Sequence, residues 1–295
     1  MEEPKIGIVI VNYNAEKYQN DAIRSIKAMD YSNYEIIIVD NNSTDNSIAI
    51  LKSEFKDIIV VKMKDNLGVA AGNNAGIKLA IKRNAEYILL INNDVEVSPS
   101  LLKILVENAS ERIMTIPKIY YYDKRNIINT IGGCVDWDTG DVFYYGTNAP
   151  DCDRFSYKRY VGIAATCCML IHKNVFKSVG LMDPKYFMYY DDTDFCVRAE
   201  KKGYKILYVP EAKMWHKVSM ASGGPNSKVC LYYSARNYLY FSHKFKKYTS
   251  KKRTKYIIKK IKYAIAESIG NKNSKYILLG YLDYFLGRMY RKDFK

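Results

Sequence analysis

The chain has 295 residues, 48% of them hydrophobic, and a formal net charge of +15. That length and apolar content support one large core, or one core with an appendage. No apolar run approaches the ~20 residues needed to span a bilayer; the longest candidate, YILLGYLDYFL from Tyr276, carries Asp283. The N-terminal MEEPKIGIVIVNYN lacks a basic leader and its apolar run is too short for a signal peptide, so a cytoplasmic location is expected. The six cysteines form no CxxC pair, which favours buried free thiols over disulfides or a zinc site.

The first hundred residues repeat one plan. KIGIVIVNYN is a β-branched run, followed by a helical pattern from Ala15 to Met29. YEIIIVDNNSTDNS gives a second strand, a polar turn and a helix through Phe55. DIIVVKMKDN is a third strand, followed by a helix from about Val69 to Arg83, and AEYILLINNDVEV reads as a fourth. Continuous apolar strands alternating with helices predict a parallel sheet covered on both faces. Ligands of such sheets bind at the carboxyl ends of the strands. Those ends carry Asn12-Tyr13-Asn14, Asp40-Asn41-Asn42, Asp65-Asn66 and Asn92-Asn93-Asp94, a crevice rich in amides and carboxylates and poor in Lys and Arg. Such groups suit the edges of a base and the hydroxyls of a ribose, although any one of them could be a turn or capping residue. No G-x-G-x-x-G follows the first strand and no Walker A motif is present, which disfavours a dinucleotide site and a P-loop. Gly68, Gly72 and Gly76 are expected to let the third helix approach the sheet, with Asn73 between them able to face the crevice.

A crevice without basic residues holds a diphosphate poorly unless a cation helps. Asp94 is the natural anchor, with Glu96 two positions on; Mg2+ and Mn2+ take oxygen ligands and share them with phosphates. His216, in VPEAKMWHKVS, could add a nitrogen, although a lone His beside Trp is more often a packed side chain. Further along, MYYDDTDFC places Asp191, Asp192 and Asp194 among Phe187, Tyr189, Tyr190 and Phe195. Like charges in an apolar setting raise one another's proton affinity, so one of these carboxylates is suited to take a proton. Asp194 is expected to cap the helix FCVRAEKKG and pair with Arg198. Phe187 and Phe195 read as core; Tyr189, Tyr190 and Trp215 read as pocket walls.

No acidic residue lies between Glu211 and Glu267, and HKFKKYTSKKRTKYIIKKIKYAIAE holds ten Lys and Arg. Ile257, Ile258, Ile261 and Ile265 share one face of the helix this stretch predicts. A basic amphipathic helix suits an anionic membrane surface, or packs its isoleucines on the core and leaves its lysines in water.

In order and spacing, VNYN, VDNNSTDNS, NLGVAAGNNAGI, LLINNDVEV, GLMDPKYFMYYDDTDFCVRAEKKGYKILYVPEAKMWH and YYSARNYLYF together resemble glycosyltransferase family 2, in particular its rhamnosyltransferase-like members, over roughly residues 5 to 240. The resemblance implies a GT-A fold: a Rossmann-like, nucleotide-binding mixed sheet flanked by helices, here with a C-terminal helical extension. The expected division is a catalytic domain of 1–240, with a nucleotide-binding half of 1–97 and an acceptor-binding half of 98–240, and a basic, aromatic-rich extension of 241–295. It implies an inverting, metal-dependent transferase that moves a sugar from a UDP or dTDP donor, dTDP-rhamnose first, to a hydroxyl of a glycan or lipid-linked acceptor in cell-surface polysaccharide synthesis. Asp40 would hold the base, with Val11, Tyr13, Asn14, Asn42, Asn73, Asn92 and Asn93 around the nucleotide. Asp94 and His216 would hold Mn2+ or Mg2+, and Asp192 would be the catalytic base. Asp191, Trp215 and Arg236 would meet substrate or diphosphate, with Asn237 completing an Arg-Asn pair. The chain departs from the family pattern at Asn92 and Asn93, which precede Asp94 where the strict motif begins with Asp, and at Asp191, where Glu is usual. Two other readings compete: a sugar-phosphate nucleotidyltransferase, and a nucleic-acid-binding protein that uses the basic C-terminal stretch.

Overall fold

The computed structural model describes residues 3–217, 223–224, 226–248, 252–268 and 273–294. Its first half is β1 (Ile6–Asn12), α1 (Gln19–Lys27), β2 (Tyr34–Asp40), α2 (Ser47–Glu54), β3 (Ile59–Lys62), α3 (Gly68–Lys82) and β4 (Tyr87–Ile91). The strands lie parallel in the order β3-β2-β1-β4. Alternation along β1 sends Ile6, Ile8 and Ile10 into one buried cluster with Ala22, Ile23 and Ile26 of α1. Val9 enters another with Ala70, Ile77 and Ala80 of α3. Both faces are covered, which is why these strands read as unbroken apolar runs. Two of the three α3 glycines act as expected: a Cβ on Gly76 would lie 2.2 Å from Val9 Cγ1, and one on Gly72 would lie 2.8 Å from Val11 Cγ1, whereas Gly68 faces Phe187 and not the sheet.

Two boundaries differ from the sequence reading. α1 begins at Gln19, because residues 15–18 form a turn tied to the β2 tip, where Glu16 N donates to Asp45 Oδ2 at 3.0 Å. The fourth apolar run is two strands, β4 and then β5 (Val95–Val97), with Asn92–Asp94 as the break between them.

The second half adds α4 (Leu101–Glu107), β6 (Ile113–Tyr121), β7 (Ile128–Thr130), β8 (Gly133–Val135), β9 (Val142–Tyr144), β10 (Arg159–Val161), β11 (Cys168–His172), α5 (Lys173–Val179), α6 (Asp191–Lys201) and β12 (Lys205–His216). β11 runs antiparallel to β4 and makes the sheet mixed, and the order continues β11-β6-β12-β10. β5 pairs antiparallel with the end of β12, setting His216 opposite Val95. The break in the fourth run therefore carries Asp94 to the histidine.

Three helices follow: α7 (Lys228–Lys244), α8 (Lys252–Ser268) and α9 (Lys275–Phe285). α9 packs on α7 through a cluster that includes Ala235, Tyr238, Leu239 and Tyr281, and Ile257, Ile261 and Ala264 of α8 close it. The four isoleucines of α8 thus do not share one environment: Ile258 and Ile265 are 49% and 51% exposed. Among the described residues no helix is long and apolar enough to cross a membrane.

Candidate active site

A cavity of about 430 Å³ opens at the carboxyl end of β4. Its lining brings together Asn92 and Asp94 from the β4–β5 break, His216 from the end of β12, and Asp191 and Asp192 from the start of α6. Asp94 Oδ1 lies 3.0 Å from His216 Nε2, and Asn92 Nδ2 lies 3.2 Å from the same nitrogen. These contacts make opposite demands on Nε2, which must donate to the carboxylate but accept from the amide. The other ring nitrogen, Nδ1, is buried without a hydrogen-bond partner. An oxygen and a nitrogen ligand converging at a cavity fit a divalent cation. Among the described residues no group of three or more His, Cys, Asp or Glu could hold one. Two protein ligands suit an ion shared with phosphate and water. Glu96 is not part of this set: both of its oxygens are taken by Arg125, each at 2.8 Å.

Asp191 and Asp192 open α6, following Tyr190 in a left-handed conformation (φ 68°). Asp192 Oδ1 accepts from the Thr193 amide at 2.7 Å and the Thr193 hydroxyl at 3.3 Å. Asp191 is 3% exposed and its Oδ2 has no partner. Burial pushes the Asp191 carboxyl well above the carboxylate range, and the charges of Asp192 and Asp194 add to that. Burial also raises Asp192, but the Thr193 amide and hydroxyl oppose the shift. Asp191, raised well above its ordinary range and with Oδ2 unpaired, is therefore the member favoured to keep a proton, and the Thr193 donors favour charge on Asp192. Asp194 does not cap the helix, since the cap position is Tyr190 and Asp194 lies within the first turn. Its pairing with Arg198 is present at 2.6 Å, and Lys244 binds its other oxygen at 2.6 Å.

A stability effect follows from the raised Asp191. Below the ordinary carboxylate pKa both folded and unfolded states hold the proton, and nothing is lost. As pH rises above it, the unfolded chain ionises first, so stability falls by up to ~1.4 kcal/mol per pH unit until the folded group ionises. Asn at 191 avoids this. Asp191→Asn should melt higher than wild type near about pH 8, and the gain should shrink toward zero near about pH 4; melting curves across that range check it. A gain independent of pH would contradict the assignment of the proton.

The sequence did not single out several cavity residues. Tyr144, at the end of β9, and Thr147 come from the 132–158 segment; Asn129 and Thr130 come from β7; Thr166 and Cys167 precede β11. Tyr144 is bonded to Thr193, and burial and then the Asp192 charge raise its hydroxyl pKa well above the ordinary value. No motif or spacing rule in the sequence points to it. Cys167 is a poor nucleophile, with burial pushing its thiol up to about 12.

The remaining expected site residues divide into two groups. Val11, Tyr13, Asn14, Asp40, Asn42 and Asn93 lie at the strand tips beside the cavity without lining it. Their polar atoms partly bind one another: Asn93 Nδ2 donates to Asn12 Oδ1 at 3.0 Å, Thr44 N to Asn14 Oδ1 at 2.8 Å, and Ser43 N to Asp40 Oδ1 at 3.1 Å. Tyr13 is 37% exposed, whereas Asp40 is 2% exposed. Asn73 is buried against Met182 and faces away from the cavity lining.

Three expectations are corrected. Tyr190 is not a pocket wall: it packs against the core, with its ring 5.5 Å from that of Phe241. Trp215 alternates away from His216 along β12, stacks on Tyr120 at 5.8 Å and donates to Arg125 O at 3.3 Å, so it is not a pocket wall. Arg236 is 0% exposed and spends its guanidinium on Tyr186 O, Lys185 O, Tyr290 O and Asn237 Oδ1. It reaches no substrate in this arrangement. Tyr189 does line the cavity, while Phe187 and Phe195 are core, as expected.

Comparison with known proteins agrees with this architecture. The chain is 26% identical over 241 residues to the dTDP-rhamnosyl transferase RfbF of Shigella flexneri, covering 76% of this chain and 72% of RfbF. Its fold matches the mannosyltransferase PcManGT of Pyrobaculum calidifontis, solved with GDP-Man and Mn2+, at a TM-score of 0.61 and 11% identity over 97% of this chain and 88% of that one. It also matches GalNAc-T7, solved with UDP, GalNAc and Mn2+, at 0.63 and 17% identity over 81% of this chain. The chain spans 48% of the GalNAc-T7 chain and 25% of the uncharacterized protein y4gI of Sinorhizobium fredii, to which it is 24% identical. The fold is the GT-A fold of these glycosyltransferases. The description "Glycosyl transferase family 2" matches residues 7–180, well over half of the chain, and the protein belongs to that family.

Proposed function

We propose that the protein is a metal-dependent inverting glycosyltransferase that moves a sugar from a nucleoside diphosphate donor, dTDP-rhamnose or a UDP-sugar, to a hydroxyl of a glycan or lipid-linked acceptor in cell-surface polysaccharide synthesis. The observation that carries this reading is the meeting of the Asp94–His216 pair and the Asp191–Asp192 pair in one cavity at the strand ends. Family membership and the name of the RfbF relative support it, and weigh against the nucleotidyltransferase and nucleic-acid readings.

In this reading the donor's base and ribose lie along the β1 and β2 tips, near Asp40, Tyr13, Asn14 and Asn42, with Val11, Asn92 and Asn93 behind them. Asp94 and His216 hold Mn2+ or Mg2+, whose bound charge offsets that of the diphosphate. The described residues lining the cavity include no Lys or Arg, so a diphosphate there needs that help. Asp192 takes the proton of the acceptor hydroxyl as its oxygen bonds to the anomeric carbon. The bond from that carbon to the phosphate oxygen breaks, and the nucleoside diphosphate leaves with the electron pair. Asp191, neutral, adds no second charge to repel the attacking oxygen. Residues 1–240 form the catalytic domain and 241–295 the extension, with α7 running through the boundary. The test is release of nucleoside diphosphate from a panel of nucleotide sugars with Mn2+ and a candidate acceptor. Turnover should appear with dTDP-rhamnose or a UDP-sugar, and its absence with every donor and acceptor would end the reading.

The outward face of α8 supports an anionic membrane surface on the cytoplasmic side as the working location. Lys255, Ile258, Lys259 and Lys262 recur there at helical spacing, all exposed. Pelleting with anionic vesicles should exceed pelleting with neutral ones and weaken with salt; equal recovery in both supernatants removes the membrane partner.

A further inference from the structure

The segment between α5 and α6 carries both cavity wall and catalytic pair. Met188 and Tyr189 line the cavity, and Asp191 and Asp192 follow directly. Its backbone is strained for its residues: Phe187, Tyr189 and Tyr190 all have positive φ, at 65°, 65° and 68°. L-residues other than Gly, Asn and Asp seldom hold this conformation, and a run of aromatics holds it only when the surroundings impose it.

The surroundings that impose it are identifiable. Asn237 is 0% exposed and its amide nitrogen donates to Tyr186 O at 2.9 Å, Met188 O at 2.7 Å and Tyr189 O at 3.0 Å. Arg236, also 0% exposed, donates to Tyr186 O at 2.8 Å and Lys185 O at 3.2 Å, and its Nε holds Asn237 Oδ1 at 3.0 Å, which fixes the amide's orientation. A fourth Arg236 bond runs to Tyr290 O at 2.6 Å, and Tyr290 N donates to Lys185 O at 3.1 Å. The tail around Tyr290 is itself anchored, with Lys292 Nζ 2.9 Å from buried Asp283 and Lys292 N donating to Tyr233 OH at 2.7 Å. On the opposite side Phe187 O accepts from Val69 N, at the start of α3, at 2.7 Å. Gly68 is required there, since a Cβ on it would meet Phe187 O at 2.2 Å.

We infer that Arg236, Asn237 and the tail of residues 288–292 are the positioning apparatus of the acceptor side: they fix the 184–190 segment and thereby aim Asp191 and Asp192 at the cavity. None of the three touches the cavity; each acts through backbone carbonyls. The C-terminal tail is thus part of the active-site architecture, although it lies outside the part of the chain matched by the family. The inference rests on the proposed transfer reaction for its kinetic consequence and on geometry alone for the clamp.

The test uses the full chain carrying Asn237→Ala, and separately Asp283→Asn, which removes the ion pairs of Asp283 with Lys292 and Arg288 and so weakens the tail's anchoring while leaving Arg236 and Asn237 in place. Hydrogen exchange at the amides of residues 186–194 should speed up by about tenfold or more in Asn237→Ala, with β1 and β4 unchanged. The kcat should fall by about 100-fold, as a misaimed catalytic group predicts, while the donor KM stays within about twofold. Asp283→Asn should shift both readouts in the same direction by less, and serves alone if Asn237→Ala does not fold. Unchanged exchange at 186–194 overturns the clamp. Faster exchange with unchanged kcat, or an equal loss in kcat and donor affinity, overturns its positioning role. A wild type inactive with every nucleotide sugar would refute the transfer reading, and the exchange data would still decide the clamp.

Discussion

Asp192→Asn should lower the transfer rate by about 1,000-fold or more, within the range a positioned general base contributes, and leave nucleotide binding close to wild type. Asn matches the shape of Asp, and its carbonyl can still accept from the Thr193 amide, which lies 2.7 Å from Asp192 Oδ1. The α6 start should therefore stay in place, and only the proton acceptor is lost. The groups proposed to bind the donor, Asp94, His216 and the β1 and β2 tips, have no hydrogen bond to Asp192 among the described residues. The control is Asp191→Asn. Because Asp191 already holds its proton, a neutral amide there should cost far less than the same change at 192. If the two variants lost rate equally, the pair would act as one titrating unit and the single-base assignment would fall. If Asp192→Asn kept more than about a tenth of the rate, the base would lie elsewhere.

The parts of this molecule legible in its sequence are those governed by local rules. β1, β2 and β4 announce themselves as apolar runs because both faces are buried, and the partly buried edge strand β3 still shows as Ile-Val-Val; the polar tips are legible because a strand that ends at a sheet edge must change composition there. Gly72 and Gly76 were readable for the same reason: spacing on one helix face reports one contact surface. What failed was what depends on pairing between distant segments. The family resemblance put Arg236 near substrate or diphosphate, but tertiary packing gave it four oxygen acceptors and no exposure. Trp215 follows from strand alternation once β12 is known to reach His216, which puts the two adjacent residues on opposite faces. α8 has a face of its own against α9, which divides its isoleucines between the core and solvent. Tyr144 reaches the cavity from a hairpin whose register, Val142 opposite Val135, carries no sequence signature.

Asp94→Ala should remove the metal-dependent part of nucleotide binding. The reason is how few ligands the chain provides. Asn93 is committed to Asn12, Glu96 to Arg125, and Asn92 offers its amide to His216, so among the described residues Asp94 is the carboxylate of the β4–β5 break that lines the cavity beside His216. In wild type, UDP or dTDP with Mn2+ at about 100 times its Kd should stabilise the fold by about 2.7 kcal/mol, which a thermal shift detects easily. Without Mn2+ the shift should shrink, because the diphosphate then meets the carboxylates of Asp94 and Asp192 with no cation to offset them. Asp94→Ala should show the small shift with or without Mn2+. His216→Ala should fall between, since one oxygen ligand remains but the nitrogen is gone. The order wild type, His216→Ala, Asp94→Ala in Mn2+-dependent shift is the signature of a two-ligand site that borrows the rest of its coordination from the donor. A full Mn2+-dependent shift in Asp94→Ala would mean that the cation is held by other groups, and the Asp94–His216 contact would then be a packing interaction that orients β5 against β12.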